Sequence, residues 1–195
     1  MGSEAMSTPD ASETPGEAIS RRHAMTGLVT AMIPVALSAG ALPAEAEAVS
    51  MPASSEDERL MRQALALAAE ADFPFGAVIA RDGKILARGL NLGKRTHDPT
   101  AHGEMVAIRR FLAEHGPEPL KGTALYTSGE PCAMCMGAIV WCGIKRVVYA
   151  ASVAEIAARL GQIRISCTEI AQKTPFATIE ITGGVLAADA LKLFQ

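Results

Sequence analysis

Pro-Cys-Ala-Met-Cys at residues 131–135 and His-Gly-Glu at residues 102–104 are the two stretches that decide how this 195-residue chain is interpreted. Each is ambiguous alone, because a Cys-x-x-Cys pair occurs in redox proteins and in zinc sites, and His-x-Glu is common by chance. Together they offer one imidazole, two thiolates and one carboxylate. Three protein ligands with an open fourth position are typical of catalytic zinc, whereas structural zinc is closed by four ligands. The composition of the two stretches therefore indicates a catalytic zinc site.

The spacing of the two cysteines places them on one face of a helix. Cys132 and Cys135 are three residues apart, and Pro131 before them is typical of a helix start. The N-terminal end of a helix favours a thiolate over a thiol, and metal ligation needs the thiolate. We therefore expect both sulfur atoms to face one centre.

His102 and Glu104 need a less regular local structure. On an ideal helix, side chains two residues apart point about 200° away from each other. The two residues serve one centre only if His102 lies in an irregular first turn. Asp98 followed by Pro99 predicts that the helix starts at this point, which is compatible with such a turn. Glu104 is then free to face a water molecule and move protons instead of binding the metal.

Secondary-structure signals outside these stretches alternate between helix and strand. Strands are predicted at residues 75–80, 85–92, 124–127, 146–150 and 178–182, with a tight Asp82-Gly83 turn after the first. Helices are predicted to start at a Ser55/Glu58 capping box, at Asp98, at about Cys132, at Val153 and at Val185. This alternation predicts an α/β fold with helices packed on both faces of a mixed sheet.

The composition excludes several classes of protein. Hydrophobic residues make up 49% of the chain and charged residues 20%, which excludes a disordered or collagen-like chain. Residues 1–53 hold two basic and six acidic side chains, so residues 54–195 carry sixteen basic and fifteen acidic ones. A nearly neutral body lacks the positive charge expected of a nucleic-acid-binding protein.

Residues 1–53 resemble an export signal and are kept apart from the domain predicted at residues 54–195. The pair Arg21-Arg22 precedes an uncharged run from Ala24 to Ala44 that is interrupted by Pro34. This pattern is similar to a twin-arginine signal, and a small-x-small site follows it. We expect a periplasmic or secreted protein without a stable membrane span in its mature form. The alternatives are a membrane anchor and an extension of a cytoplasmic protein.

His-x-Glu followed by Pro-Cys-x-x-Cys is the signature of zinc-dependent nucleobase deaminases. The chain resembles the cytidine deaminase-like superfamily over roughly residues 55–150, on the branch that holds guanine deaminases and tRNA adenosine deaminases. The stretches that carry the resemblance beyond the signature are residues 75–78, Asn91 and residues 98–102, 125–128 and 130–138.

This resemblance implies a three-layer α-β-α sandwich with a five-stranded mixed sheet, one zinc ion per subunit and a homodimer. It implies that zinc is bound by His102, Cys132 and Cys135, and that Glu104 is the catalytic proton carrier. Asn91 matches the family's asparagine that contacts the base or sugar. Gly103 stands where the family has alanine, and we expect this difference to loosen the start of the helix.

Three further residues are candidates for the substrate pocket, namely Phe75, Ala77 and Trp141. The alternative for the aromatic pair is a purely structural place in the core. Cys142 and Cys167 are predicted to be buried apolar cysteines, and a disulfide between them is the alternative if the chain is exported.

The function expected from the sequence is hydrolytic deamination of a purine base or nucleoside by zinc-activated water, with guanine as the first candidate. The alternatives within the enzyme class are a tRNA adenosine deaminase and a cytosine or cytidine deaminase. A structural zinc-binding module and a thioredoxin-like dithiol protein are the alternatives from other classes. The expected partner is a small purine molecule, and nucleic acid is disfavoured by the near-neutral charge.

Overall fold

The computed structural model describes residues 49–176 and 178–195. The Arg21-Arg22 pair and the uncharged run after it lie outside the described residues, so export stays a prediction. None of the described helices is long and apolar enough to cross a membrane.

A six-stranded mixed sheet forms the centre of the fold. Its strands are β1 (Val49–Ser50), β2 (Gly76–Arg81), β3 (Lys84–Leu90), β4 (Ala124–Gly129), β5 (Arg146–Ala151) and β6 (Glu180–Thr182). They are ordered β1-β6-β5-β4-β2-β3, so the two-residue β1 and the strand β3 form the edges. β2 runs antiparallel to β3 and β4, and the pairs β4–β5, β5–β6 and β6–β1 are parallel. The five predicted strands are confirmed, and β1 adds a short sixth from the segment that was kept out of the fold prediction.

Seven α-helices connect or flank these strands in the described residues. They are α1 (Ser55–Ala69), α2 (Gly93–Thr96), α3 (Gly103–His115), α4 (Ala133–Trp141), α5 (Val153–Ala157), α6 (Cys167–Gln172) and α7 (Ala187–Leu191), with a short 3-10 helix at Glu118–Leu120. The helices α2 and α6 were not predicted, and α5 and α7 are shorter than the helices predicted from the sequence at residues 153–160 and 185–194.

The alternation of side chains along the strands divides the core into two layers. Ala77 and Ile79 of β2 pack on the face that holds α3, α4 and α6. Val78 and Ala80 of the same strand pack on the opposite face, against α1, α5 and α7. Because consecutive strand residues point to opposite faces, one buried strand supplies both cores. The predicted three-layer α-β-α sandwich is confirmed.

The first helix starts one residue earlier than predicted. Its N-cap is Ser54, and the partner in the capping box is Asp57 instead of Glu58. Asp57 is completely buried. Its carboxylate tolerates burial because it also accepts hydrogen bonds from Arg146 at 2.7 Å and from the Tyr126 hydroxyl at 3.2 Å. This network ties the start of α1 to β5 and fixes the register of the cap. The same type of capping box, Ser-x-x-Glu, opens α5 and α6.

Cys142 and Cys167 are free thiols in the structure. Cys167 is fully buried in the core between α6 and the sheet, and Cys142 is partly buried against the same core. The prediction of apolar core cysteines agrees with this placement.

Candidate active site

Two helix starts meet at one place on this fold, and each places a predicted metal ligand at its N-cap. His102 precedes α3 with φ −67° and ψ 157°, and Cys132 precedes α4 with φ −64° and ψ 169°. Both residues are therefore extended, and neither side chain caps its helix with a hydrogen bond. His102 lies outside the regular helix, as a shared centre with Glu104 requires.

The prediction that a helix begins at Asp98 is wrong, since the helix in this region, α3, begins at Gly103. The carboxylate of Asp98 instead closes a local turn, where it accepts hydrogen bonds from the backbone N–H of Thr100 at 2.8 Å and from its hydroxyl at 2.6 Å. Aspartate followed by proline is a turn signal as well as a helix signal, and the turn prevails here.

His102, Cys132 and Cys135 form a compact cluster whose ligand atoms lie within 4.8 Å of one another. The two sulfur atoms are 3.6 Å apart, and they lie 3.7 Å and 3.5 Å from Nδ1 of the histidine. A tetrahedral zinc ion with Zn–S of about 2.3 Å and Zn–N of about 2.0 Å requires S···S of about 3.8 Å and S···N of about 3.5 Å. The three residues therefore fit a zinc ion and leave its fourth position open.

The pKa shifts within this cluster leave a negative charge on it that suits the binding of a metal cation. Hydrogen bonding from Cys135 lowers the pKa of the Cys132 thiol to about 4, with His102 acting in the same direction against the effect of burial. The hydrogen bond to Cys132, together with burial, raises the pKa of Cys135. The hydrogen bond with Cys132 also raises the pKa of His102. One thiolate thus shares its charge with its two neighbours, which is the chemistry that a divalent metal satisfies.

Glu104 lies beside this cluster in the first turn of α3 and is only 2% exposed. Its Oε1 atom accepts a hydrogen bond from the Thr127 hydroxyl at 3.3 Å, while Oε2 has no hydrogen-bond partner among the described residues. Burial raises the pKa of its carboxyl group. A buried carboxyl group with one unpartnered oxygen is able to exchange a proton with a molecule that enters the site.

A pocket of about 300 Å³ opens over these residues. It is lined by Phe73, Phe75, Asn91, His102, Glu104, Glu130, Cys132, Leu160, Gly161, Gln162 and Ile163. Two of the predicted substrate contacts, Phe75 and Asn91, are therefore in the wall. The Asn91 side chain is 3% exposed, and its Oδ1 accepts a hydrogen bond from the Gly93 N–H at 3.0 Å. This bond leaves the amide NH₂ to donate elsewhere.

Phe75 is held in place from several sides. Its ring is parallel to the His102 ring at 6.2 Å and meets the edge of Phe194 at 5.2 Å. Ser128 fixes the backbone on both sides of it, since its hydroxyl donates to Pro74 O at 3.0 Å and accepts from Gly76 N at 3.0 Å. The aromatic wall of the pocket is therefore rigid and adjoins the metal cluster.

Two predicted pocket residues lie elsewhere. Trp141 stands at the far end of α4 with 78% of its surface exposed, where its ring packs on Phe176 at 4.9 Å. It does not line the pocket, because it is the last residue of α4 and Cys132 lies before the first. Ala77 is completely buried in the core beneath α3 and is not a pocket residue either.

Gly103 faces the backbone beside Phe75, and the expected looser start of α3 stays a prediction. A Cβ atom at this position would lie 2.7 Å from Phe75 O and 3.2 Å from the Gly76 Cα atom. The missing side chain therefore lets the first turn of α3 touch the backbone beside Phe75.

The sequence interpretation missed the outer wall of the pocket and the polar residues of β4. Leu160 to Ile163 belong to an irregular segment between α5 and α6, for which no periodic signal exists. Thr127 and Ser128 are both fully buried and both hydrogen-bonded to site elements. Two hydroxyl residues at the end of a buried apolar strand were the available signal for them.

Residues 54–151 match the protein family described as the cytidine and deoxycytidylate deaminase zinc-binding region, over half of the chain. The chain belongs to this deaminase family. It is 46% identical over 99 residues to the guanine deaminase of Bacillus subtilis, which covers 48% of this chain and 64% of that protein. It is 38% identical over 141 residues to the tRNA-specific adenosine deaminase of Haemophilus influenzae, covering 70% of this chain and 79% of that one.

Solved structures agree with this membership. A structure from work on A-to-I editing by tRNA:A34 deaminases superposes with a TM-score of 0.60 at 30% identity, over 69% of this chain and 98% of that chain. The deaminase is therefore a zinc-dependent hydrolase that acts on a nucleobase or nucleoside. The open fourth ligand position agrees with catalysis and not with a structural zinc module, and a dithiol redox protein would have no use for His102.

Proposed function

We propose that this deaminase releases ammonia from a free purine base, with guanine as the first candidate. The observation that carries the proposal is the small pocket over the metal ligands, which combines one aromatic wall, one buried amide and the buried carboxyl groups of Glu104 and Glu130. Its volume of about 300 Å³ is at the lower end of small-molecule sites. A single base with polar edges is the substrate that such a pocket suits best.

Each residue has a role in this reaction. Zinc, when bound, supplies Lewis-acid activation of a water molecule for attack on the carbon that carries the amine. Glu104 takes one proton of that water and passes it to a ring nitrogen. It then takes the second proton from the hydroxyl group now bonded to the carbon and passes it to the amine, which leaves as ammonia. The NH₂ group of Asn91 donates to an acceptor of the base, and the ring of Phe75 covers one flat face of it.

Charge near the pocket supports a small neutral substrate over RNA. Arg95 is paired with Asp72 at 2.7 Å, and Arg109 is paired with Asp98 at 3.2 Å. Lys94 lies over the ring of Phe73, 4.6 Å from its centroid. Cations that already have partners are poor ligands for a phosphate backbone, and binding to RNA depends on such contacts.

Guanine is placed first among the purines because of the similarity to a named guanine deaminase. Gln162 lines the pocket, and its side chain makes no hydrogen bond to the other described residues, so it can both donate to and accept from a base. Such an amide can bind the edge of adenine as well as that of guanine, so it supports a purine without selecting between the two.

Deamination of adenosine in tRNA is the second candidate. It is favoured by the longer matches, which cover 79% of the Haemophilus enzyme and 98% of the tRNA deaminase structure. This reading predicts that activity falls steeply as salt rises, because RNA binding releases counterions. Cytosine and cytidine remain as further candidates within the same reaction class.

Ammonia release from the zinc-loaded full-length chain tests the proposal. Guanine, guanosine, adenine, adenosine, cytosine, cytidine and a tRNA anticodon stem-loop are compared side by side. We expect release from guanine, none from the stem-loop, and loss of release in Glu104→Gln. Activity on the stem-loop alone would overturn the proposal in favour of the second candidate.

We further propose that the enzyme is a homodimer joined through α4. This helix carries no charged side chain, and it ends in the exposed Trp141 packed on Phe176, which is 53% exposed. An uncharged face with two exposed aromatic rings is typical of an interface. Light scattering of the wild type should give twice the mass of one chain, and light scattering of Trp141→Glu should give the mass of a single chain. A wild-type monomer at micromolar concentration would contradict this.

Export by the twin-arginine route is also a proposal. It rests on Arg21-Arg22 and on the uncharged run that follows. Changing both arginines to lysine should keep the protein in the cytoplasm, as cell fractionation would detect. Unchanged periplasmic material would exclude the twin-arginine route and leave the cytoplasmic alternative or another export signal.

A further inference from the structure

The outer wall of the pocket comes from a segment outside the family match. The matched residues 54–151 carry the metal ligands, Glu104 and Asn91, whereas Leu160 to Ile163 follow α5 and precede α6. Much of this segment faces solvent, since Ile163 is 59% and Ile165 is 42% exposed. We call residues 153–167 the wall segment. With so little buried surface in its middle, its position depends on how its ends are held.

Both ends of the wall segment are attached to one carboxylate. Oε2 of Glu130 accepts a hydrogen bond from the Val153 N–H at 2.8 Å, and Oε1 accepts one from the Cys167 N–H at 2.8 Å. These two amides are the first residues of α5 and α6. Glu130 is only 7% exposed, so water does not readily replace it. Glu130, a residue of the matched region, is thus hydrogen-bonded to both the start and the end of the wall segment.

The wall segment has other attachments as well. Val153, Ile156 and Cys167 are buried in the core at its two helices, whereas Leu160 to Ile163 over the pocket are half-buried or exposed. Arg159 donates a hydrogen bond to Leu191 O at 2.8 Å from an exposed position, and Leu160 packs partly against the α1 face of the core. The capping boxes of Ser152 with Glu155 and of Ser166 with Glu169 satisfy other amides of the same two helices, also at exposed positions. The amides of Val153 and Cys167 have no partner within their own helices, because the first N–H groups of a helix never do.

We propose that Glu130 is a positioning residue that sets substrate affinity by holding the wall segment over the pocket. Glu130 also lines the pocket, but both of its oxygen atoms already accept the hydrogen bonds from Val153 and Cys167. It therefore acts through Leu160 to Ile163, and not on the metal or on the reacting atoms. The inference rests on the proposed function only in taking this pocket as the place where the base binds. A loosened wall should weaken binding of the base while leaving the zinc ligands and Glu104 in place.

Glu130→Gln in the zinc-loaded full-length enzyme is the first test. Glutamine has the same length but only one acceptor oxygen, so one of the two amides loses its partner. We expect KM to rise about tenfold, the factor that corresponds to one lost hydrogen bond to a charged group, with kcat changed less than about threefold. Zinc content should stay the same. Hydrogen exchange of the peptides that span residues 153–167 should become faster.

Glu155→Gln and Glu169→Gln are matched controls. Each weakens a capping box at the start of the same two helices but touches no pocket residue. We expect neither to raise KM. A rise in the controls equal to that in Glu130→Gln would show that any weakening of these helices has the same effect, and it would overturn the specific role of Glu130.

Val153→Pro removes the donor of the Val153–Glu130 hydrogen bond instead of its acceptor. It keeps the inference testable if Glu130→Gln does not fold. Proline is well accepted at the first position of a helix, and Ser152 already has the extended backbone that must precede it. The change removes the N–H that Glu130 accepts and leaves Glu130 itself intact. We again expect a higher KM and faster exchange in the wall segment.

The outcomes separate this inference from the proposed function. If guanine is inert but another base is turned over, the substrate proposal fails while KM for that base still tests Glu130. If no base is turned over, hydrogen exchange alone decides, and an unchanged wall segment in both variants overturns the inference. A loss of zinc or a fall of kcat at constant KM would also overturn it, because Glu130 would then serve the adjacent metal loop.

Discussion

Three helices of this protein begin with a serine capping box, and the two helices that form the active site do not. The starts of α1, α5 and α6 have a serine N-cap and an acidic residue three positions later, joined by reciprocal hydrogen bonds. The starts of α3 and α4 have His102 and Cys132 at the same position, with no side-chain cap. The difference shows that the N-cap of the site helices is occupied by a metal ligand.

A metal ligand at the N-cap, in place of a serine, makes the start of the helix less stable. Replacing a good N-cap residue with one that makes no capping hydrogen bond costs about 1 kcal/mol per helix. The extended backbone of an N-cap residue, however, lets its side chain point away from the helix axis and towards a neighbour. Metal binding can return the lost stability, since a site that forms only in the folded chain couples binding to folding. The following predictions test whether the two kinds of helix start behave differently.

Glu104→Gln is expected to have the largest effect, a fall in kcat of about 10² to 10⁴. This acidic residue lies in the first turn of α3, but its unpartnered oxygen faces the pocket instead of closing a capping box. Its loss should therefore remove turnover and leave the zinc content unchanged. Ammonia release and metal analysis on the same sample check this.

Ser54→Ala is the matched change at a capped helix. It should lower the free energy of unfolding by about 1 kcal/mol and leave turnover unchanged. If it lost activity as strongly as Glu104→Gln, the distinction between the two kinds of helix start would fail.

Removal of zinc by a chelator should loosen the two site helices selectively. Backbone amides in the first turns of α3 and α4 are expected to exchange with solvent faster, because the metal joins His102 to Cys132 and Cys135. The first turns of α1, α5 and α6 should keep their protection. Hydrogen exchange followed by mass spectrometry measures all five regions at once. Equal loss in all of them would mean that the metal stabilises the whole fold and not these helix starts.

Asp57→Asn should lower the free energy of unfolding by about 3 kcal/mol near neutral pH, because it breaks a largely buried pair with Arg146. Burial by itself raises the pKa of Asp57, but hydrogen bonds from Arg146 and Ser54 outweigh it and hold the pKa below its ordinary value of 3.8. The carboxylate therefore stabilises the fold fully above the unfolded-state pKa, and this contribution is lost as pH falls through the lower folded-state pKa.

The wild type and Asp57→Asn should consequently converge in stability in acid. Urea unfolding at pH 7 and at pH 3 measures the gap between them. A gap that stays constant would show that the stability of the first capped helix does not depend on the charge of Asp57.

Gly103→Ala should lower the free energy of unfolding by about 1 to 3 kcal/mol through overpacking against the backbone of Phe75. Thermal unfolding measures it. Gly137 in α4 provides the control, because a Cβ atom there would meet nothing within 4 Å. Gly137→Ala should be neutral or stabilising, since alanine favours helix more than glycine does. Equal destabilisation by both changes would remove the argument from close backbone contact.

The sequence predicted the strands and the metal ligands well, and the reason is physical. Buried strands need continuous apolar runs, and a zinc site needs a few residue types at fixed spacings, so both leave a local trace. The residues that ended up together in the cluster, His102, Cys132 and Cys135, were all named from such traces.

The errors occurred where local signals compete or are absent. Asp98 carries a helix-start signal but closes a turn, because the true N-cap is a histidine chosen for metal binding and not for capping. The helix α6 was not predicted because it has only six residues, although Ser166 and Glu169 form a recognisable capping box at its start. The wall residues Leu160 to Ile163 have no periodic pattern of their own, because contacts distant in sequence, including those of Glu130 and Arg159, hold them over the pocket.

The order of the strands also bears on how the protein behaves at high concentration. One edge strand of the sheet, β3, carries the exposed Lys84 and Arg88. Arg110 donates a hydrogen bond to the carbonyl of Arg88 at 3.1 Å and so occupies part of that edge. Positively charged edges disfavour pairing with strands of other molecules. Aggregation through this edge of the sheet is therefore opposed.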